Sequence, residues 1–309
     1  MSTTLPADPT GRQVHLATAD GRVTAQIAQV GASLRGLRVT GIDLVPPYPA
    51  GTMTPAASGV VLVPWPNRVR DGAWTQRGAS HRLPITDIPT GTASHGLLRF
   101  ASYDIVDESA DAVSLSAPVV PRSGYPFHLD TTVTYAVTAS GIEVTHRVTN
   151  IGADDAPVAL GTHPYVCLGD VATADLTLTV PGATRFVLDE RLLPVDEVAV
   201  TPDVDLRAGA RLGDVTLNYA YGSLGRSADG RVRTTLVAAD GRSVELWQGP
   251  GFDYVQVYTM DAYPGQALAV AVEPMTAPPD ALNSGQGLRW LASGESWELR
   301  WGIASSLSL

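Results

Sequence analysis

Proline and glycine interrupt this chain so regularly that a long helix has almost nowhere to sit: 23 Pro and 30 Gly are spread along 309 residues. A proline inside a helix removes a hydrogen bond and clashes with the preceding turn, and a glycine there costs backbone entropy. Between the interruptions lie short runs rich in β-branched and aromatic residues. That combination favours many short strands joined by turns. Runs at 14–17, 22–28 and 33–39 open the series, and 112–117, 129–137, 142–150, 232–238, 243–248 and 254–259 extend it. Asp20-Gly21 and Asp240-Gly241, each between two such runs, are hairpin signals. Val133, Tyr135 and Val137 alternate with Thr132, Thr134 and Ala136 at the strand period of two. Near the C-terminus, Trp297, Leu299, Trp301 and Ile303 share one face, with Glu298 and Arg300 on the other. No repeat and no low-complexity linker marks a boundary, so residues 1–309 are expected to form one large all-β domain, with 1–12 a loose lead-in.

Charge and cysteine content narrow the function classes. A formal charge of −10 and a pI near 5.0 argue against nucleic acid and anionic membrane as partners. The lone cysteine, Cys167, rules out an internal disulfide and a multi-cysteine metal site, and reads as a small buried apolar residue. The N-terminal stretch lacks a basic region followed by an apolar core, and no later run reaches transmembrane length, so the expected compartment is the cytoplasm. His-Glu-x-x-His, Gly-x-Ser-x-Gly, the phosphate-cradling glycine loop and the dinucleotide glycine fingerprint are all missing, so neither a metal nor a cofactor is expected.

What remains are polar residues placed where buried strands run out. Ala267-Leu268-Ala269-Val270-Ala271-Val272 is an uninterrupted apolar run, followed by Glu273-Pro274 and then Pro278-Pro279. The prolines predict a strand ending at Glu273 and an irregular loop after it. A carboxylate so placed is either satisfied by nearby backbone N–H groups or held as a catalytic base. Val60–Val63 likewise leads into Pro-Trp-Pro-Asn67-Arg68-Val-Arg70-Asp-Gly, a polar loop suited to a ligand, or else a loop anchored by Trp65 and Trp74 with solvated arginines. His95, in Ser-His-Gly, is expected on an extended segment beside a glycine that permits close backbone approach. A lone histidine of this kind is more often structural than catalytic. His163 precedes Pro164, which biases it to extended geometry. Two histidines and a glutamate with no nucleophile constellation suit proton transfer.

Taken together, Pro-Trp-Pro-Asn67-Arg68-Val-Arg-Asp-Gly, Ser-His95-Gly-Leu-Leu-Arg, Gly-Thr-His163-Pro-Tyr and Val-Glu273-Pro-Met-Thr-Ala-Pro-Pro-Asp-Ala-Leu-Asn283-Ser resemble the aldose 1-epimerase (galactose mutarotase) family, in that family's order and over nearly the whole chain. The resemblance implies a large antiparallel β-sandwich, the galactose mutarotase-like supersandwich, with a sugar site on an open concave face. It implies Glu273 as general base and His163 as general acid, His95 positioning the sugar, and Asn67 and Arg68 holding hydroxyls. Asn218, in Leu217-Asn218-Tyr219-Ala220-Tyr221, stands where the family has a hydroxyl-gripping Asp, which puts the hydroxyl preference in question. His-Pro-Tyr also departs from the Asn-His-x-Tyr-Phe-Asn form of the best-known galactose mutarotases and suggests a bacterial side branch.

The implied activity is interconversion of the α and β anomers of an aldohexose by ring opening and closure, with an anionic Glu273 helping to keep His163 protonated. The partner is a small sugar, and the chain is expected as monomer or homodimer. Two other readings stay open. One is a non-catalytic carbohydrate-binding protein on the same fold. The other is a glycoside hydrolase or lyase, which needs a second carboxylate, and Asp280 is the only nearby candidate. Within the first reading, Arg68, Arg70 and Arg99 are suited to a phosphate or sulfonate on the sugar, or are simply solvated or ion-paired.

Overall fold

The computed structural model describes residues 8–307, and two large antiparallel sheets dominate it. The first has nine strands in the order Asp104–Glu108, Ala112–Val119, Leu129–Thr138, Gly141–Asn150, Ser296–Ser305, Ser243–Gln248, Val232–Val237, Thr177–Thr179 and Ala210–Arg211. The second has eight: Pro194–Ala199, Gly182–Leu188, Asn218–Leu224, Tyr254–Met260, Ala269–Met275, Gly161–Thr162 and Val61–Leu62 in order, with Tyr165–Val166 also paired to Ala269–Met275. A four-stranded meander, Gln13–Ala17 through Ile42–Val45, completes the large elements. The hairpins read at Asp20-Gly21 and Asp240-Gly241 are present, joining the strands that flank them.

The sheets pack as a sandwich because strands such as Ala112–Val119 and Leu129–Thr138 alternate. In Leu129–Thr138, residues Leu129, Thr131, Val133 and Tyr135 are buried while their neighbours are partly open. Val133, Tyr135, Val144, Trp301 and Ile303 from the nine-stranded sheet meet Val255, Val257, Val270 and Val272 from the eight-stranded one in a single apolar cluster. Each fully buried Val or Leu there contributes roughly 1.5–3 kcal/mol.

The strand Ala269–Met275 is buried along its whole length, on both faces. Val270 and Val272 point into the core, so parity turns Ala269, Ala271, Glu273 and Met275 to the opposite face. The strand does not end at Glu273 as the prolines predict. It runs on to Met275, because Val272 and Thr276 N–H donate to the carbonyls of Pro164 and Leu160 (3.1 and 2.9 Å), and Pro274, between them, leaves only one rung unfilled. The loop beyond is likewise less irregular than expected, with Ala281–Ser284 forming one helical turn. Of the lead-in, residues 1–7 lie outside the described residues. Asp8 is not loose: its carboxylate accepts from Thr10 and Gly51 N–H at 2.9 and 3.1 Å and faces the buried Arg35 at 3.4 Å.

Candidate active site

Strand register builds the site. Tyr165 pairs with Ala271 and Val166 with Val270, and continuing that ladder two residues sets His163 against Glu273. Their side chains do meet, with His163 Nε2 and Glu273 Oε1 3.3 Å apart. On the other side of the strand, Gln256 lies directly opposite Glu273, Tyr258 opposite Ala271, and Asn218 opposite Tyr258. Directly opposed residues share a face. One cross-strand patch therefore carries Asn218, Gln256, Tyr258, Glu273 and His163.

Loops wall this patch. His163 is fixed by its own backbone, donating to Val60 O at 3.2 Å and accepting from Gly59 N–H at 2.7 Å, and its ring stacks on Tyr165. His95 lies edge-on to His163, ring centroids 5.5 Å apart. It is not extended, as its strand context predicts, but sits at φ 62, and Asn67 sits at φ 53. Non-glycine residues in that region cost on the order of 1–3 kcal/mol each and persist only where surroundings force them. The forcing contact is His95 N–H to Asn67 O at 2.8 Å, with Gly96 next in the chain, where any Cβ would overlap the Val63 carbonyl. The close backbone approach read from Ser-His-Gly is therefore present.

A cavity of about 640 Å³ is lined by all six residues singled out from the sequence: Asn67, Arg68, His95, His163, Asn218 and Glu273. Gln256 links two of them, accepting from Asn67 Nδ2 at 3.4 Å and donating to Asn218 Oδ1 at 2.9 Å. Sequence reasoning missed Gln256 and Tyr258, although Tyr254, Gln256 and Tyr258 alternate with Val255 and Val257 at strand period, a signal for one apolar and one polar face. Trp65 and Trp74 are core anchors, 2% and 3% exposed. The arginines divide three ways: Arg68 pairs with Asp87 at 3.1 Å, Arg70 with Asp189 and Asp280 at 3.3 and 3.5 Å, and Arg99 lines the cavity.

Asp280 is occupied with structure. It accepts from Arg70 N–H at 2.9 Å and Asn283 Nδ2 at 2.8 Å, and its own N–H donates to Arg68 O at 2.7 Å. It clamps the loop after Glu273 onto the Asn67–Arg70 stretch and does not line the cavity. The hydrolase reading thereby loses the candidate it rested on; the other carboxylate of the cavity wall, Asp87, is paired with Arg68 at 3.1 Å.

Electrostatics depart from expectation at one point. Glu273 is 2% exposed, and burial raises its carboxyl well above the ordinary range, opposed by the nearby Arg68. Burial also pulls His163 down to about 4, with Arg99 adding to the effect. An anionic Glu273 therefore does not hold His163 as a settled imidazolium, because the cost of burying two charges outweighs their attraction. Both shifts say that the pair, rather than either residue, holds one proton. His95 is held neutral by burial, with the charges of Arg99 and Arg68, and of His163 when it carries a proton, adding to the effect. Glu273 Oε2, His163 Nδ1 and His95 Nδ1 are buried without a hydrogen-bond partner. Such a set can take a proton from one atom of a bound polar molecule and give one to another.

A family model described as aldose 1-epimerase matches residues 13–304. The uncharacterized protein YihR of Escherichia coli (strain K12) is 32% identical over 305 residues, covering 95% of this chain and 93% of its own. Among solved structures, the GalM/aldose epimerase homologue from C. elegans gives a TM-score of 0.82 at 17% identity, covering 96% of this chain and 99% of its own. Galactose 1-epimerase from Lactobacillus acidophilus NCFM gives 0.79 at 16% identity, covering 95% and 94%. At these identities the two structures speak to the fold alone.

Proposed function

Because this chain belongs to the aldose 1-epimerase family and has the β-sandwich of galactose mutarotase-like proteins, we propose that it is a mutarotase whose Glu273 and His163 open and close the ring of an aldohexose. The observation that carries this reading is the pair itself: carboxyl and imidazole 3.3 Å apart on a cavity wall, each with a second polar atom unpartnered.

In the reactive form the shared proton lies on His163 and Glu273 is a carboxylate. Glu273 takes the proton of the C1 hydroxyl as the bond from C1 to the ring oxygen breaks, and His163 gives its proton to that oxygen. The product is the open-chain aldehyde, with Glu273 protonated and His163 neutral. After rotation about C1–C2, the C5 hydroxyl attacks C1 on its other face and returns its proton to His163. Glu273 returns its own to the new C1 oxygen, so protons balance over the cycle. A positioned acid and base each contribute on the order of 10²–10⁴ in rate. His95 positions the ring beside its oxygen. Asn67, Arg68 and Asn218 hold hydroxyls, with Gln256 fixing the rotamers of the two amides.

Nuclear magnetic resonance exchange between anomers, or polarimetry of freshly dissolved α-D-glucose and α-D-galactose, tests this directly. Wild type accelerates mutarotation, and Glu273→Gln reduces it to near the buffer rate while sugar still binds. Near-wild-type rate in the variant would remove Glu273 from the mechanism. Binding without acceleration by wild type would make the chain a carbohydrate-binding protein instead.

A further inference from the structure

Arg68, Asn67, Gln256 and Asn218 form one relay of hydrogen bonds along the cavity wall, and the cation sets its direction. Arg68 Nη1 donates to Asn67 Oδ1 at 3.4 Å. A guanidinium can only donate, so Asn67 turns its oxygen to Arg68 and its Nδ2 onward, to Gln256 Oε1 at 3.4 Å. Gln256 Nε2 in turn donates to Asn218 Oδ1 at 2.9 Å. Each amide is oriented by the one before it. The relay therefore ends in the Nδ2 of Asn218, a half-buried residue of the cavity wall, with no acceptor among the described residues. An Asp here would end it in a carboxylate, which only accepts, whereas Asn218 ends it in a donor.

The wall beside that donor is apolar. Thr184 pairs with Gly222 and Arg185 with Tyr221, and the same register carried on sets Leu188 beside Asn218. The chain then turns through 190–192, with Leu192 N–H donating to Asp189 O at 3.0 Å and Asp189 N–H to Leu193 O at 2.9 Å. Leu192 takes the left-handed position of this turn, at φ 59, where glycine is favoured. A leucine is kept there at a conformational cost, and it lines the cavity. Arg191 staples the turn to the 87–92 loop, donating to the carbonyls of Thr90 and Gly91 at 2.8 and 3.1 Å and pairing with Asp71 at 2.7 Å. That loop adds Pro89 and the 82% exposed Ile88 to the cavity wall.

The place of this donor and apolar seat on the sugar follows from strand order. In the proposed reaction His163 faces the ring oxygen and Glu273 the C1 hydroxyl. Gln256, Asn218 and the 190–192 turn follow in that order on the far side of Glu273. The ring atom that follows C1 on that side is C2. The backbone of Asn218 stands two strands, roughly 10 Å, from that of Glu273, which leaves room for a C2 substituent longer than a hydroxyl. An acetamido group matches both features, since its carbonyl oxygen needs a donor and its methyl an apolar contact. We propose that the substrate class is a 2-acetamido-2-deoxyaldohexose, its acyl oxygen accepting from Asn218 Nδ2 and its methyl seated against Leu192, Ile88 and Pro89. This rests on the mutarotase reading and narrows its substrate, with Asn218 taking an acyl oxygen in place of a hydroxyl.

The test measures anomer exchange by nuclear magnetic resonance, over each sugar's buffer rate, for D-glucose, D-galactose, N-acetyl-D-glucosamine and N-acetyl-D-galactosamine. Wild type, Asn218→Asp and Leu192→Gly are compared, each checked for fold by circular dichroism. Wild type is expected to show kcat/KM for at least one acetamido sugar above that for its parent hexose. Asn218→Asp turns the donor into an acceptor and should cut the acetamido-to-parent ratio of kcat/KM by roughly 10–100-fold. Leu192→Gly removes the wall of the methyl seat while easing the backbone, and should cut the same ratio by roughly 3–10-fold. A general weakening of the site would leave that ratio unmoved. Parent hexoses turned over as well as their acetamido counterparts would overturn the inference and leave the mutarotase standing. An acetamido preference that survives either substitution would equally overturn it. No acceleration of any of the four sugars would sink both.

Discussion

His146 gives the most direct test of the physical reasoning, because its environment is simple. It is 1% exposed in the core, and its Nε2 accepts the indole N–H of Trp301 at 2.9 Å, which requires the neutral ring. Burial lowers its pKa from 6.5 to about 3. The unfolded chain therefore binds a proton that the native state refuses between those values. Stability attributable to His146 is present above pH 6.5 and is lost as the pH falls towards 3. At one unit per ~1.36 kcal/mol, acidification from pH 7 to pH 5 costs about 2 kcal/mol through this residue alone. The perturbation is His146→Gln, whose side-chain oxygen still accepts from Trp301 but does not titrate. Urea unfolding of both proteins at pH 7 and pH 5 gives four free energies. His95, His163 and Glu273 titrate in both proteins and drop out of the double difference. Wild type should lose about 2 kcal/mol more than the variant on acidification, even though the variant starts lower at pH 7 by roughly 1–3 kcal/mol. Equal losses in the two proteins would refute a neutral, desolvated His146.

Two further expectations concern the site. Because Glu273 is raised and His163 is lowered to about 4, kcat/KM should stay flat through neutral pH, where the pair holds one proton, and fall on the acid side near pH 4; an acid limb centred at the ordinary histidine value, with the fold intact by circular dichroism, would refute the shared proton. Gln256→Leu cuts the chain from Asn67 to Asn218 and should raise KM about tenfold with a smaller change in kcat, whereas an unchanged KM would show that the two amides hold their rotamers without it.

The contrast between what the sequence revealed and what it hid follows from the range of the forces involved. Strand parity is local, so the faces of Trp297–Ile303 and the hairpins at Asp20-Gly21 and Asp240-Gly241 could be read from neighbours in the chain. The short motifs around Asn67, His95, His163 and Glu273 marked loops and strand positions that fold into one cavity wall. Two kinds of fact escaped. The first is the exact end of a strand. Proline predicts a break, yet Pro274 is carried inside Ala269–Met275 because its flanking rungs, from Val272 and Thr276, hold the strand on either side. The second is charge bookkeeping. Arg68, Arg70 and Arg99 look alike in the sequence, and only ion pairs with residues distant in the chain distinguish them: Asp87 for the first, Asp189 and Asp280 for the second, and among the described residues no ion pair for the third, which feels Asp87 only at longer range. The same holds for Glu273 and His163. Opposite charges on adjacent residues would be the natural expectation in water, where desolvation costs nothing. At 2% and 6% exposure that cost dominates, and one shared proton replaces two charges. The motifs therefore located residues that line one cavity, while the charge balance of that cavity emerges only from long-range packing.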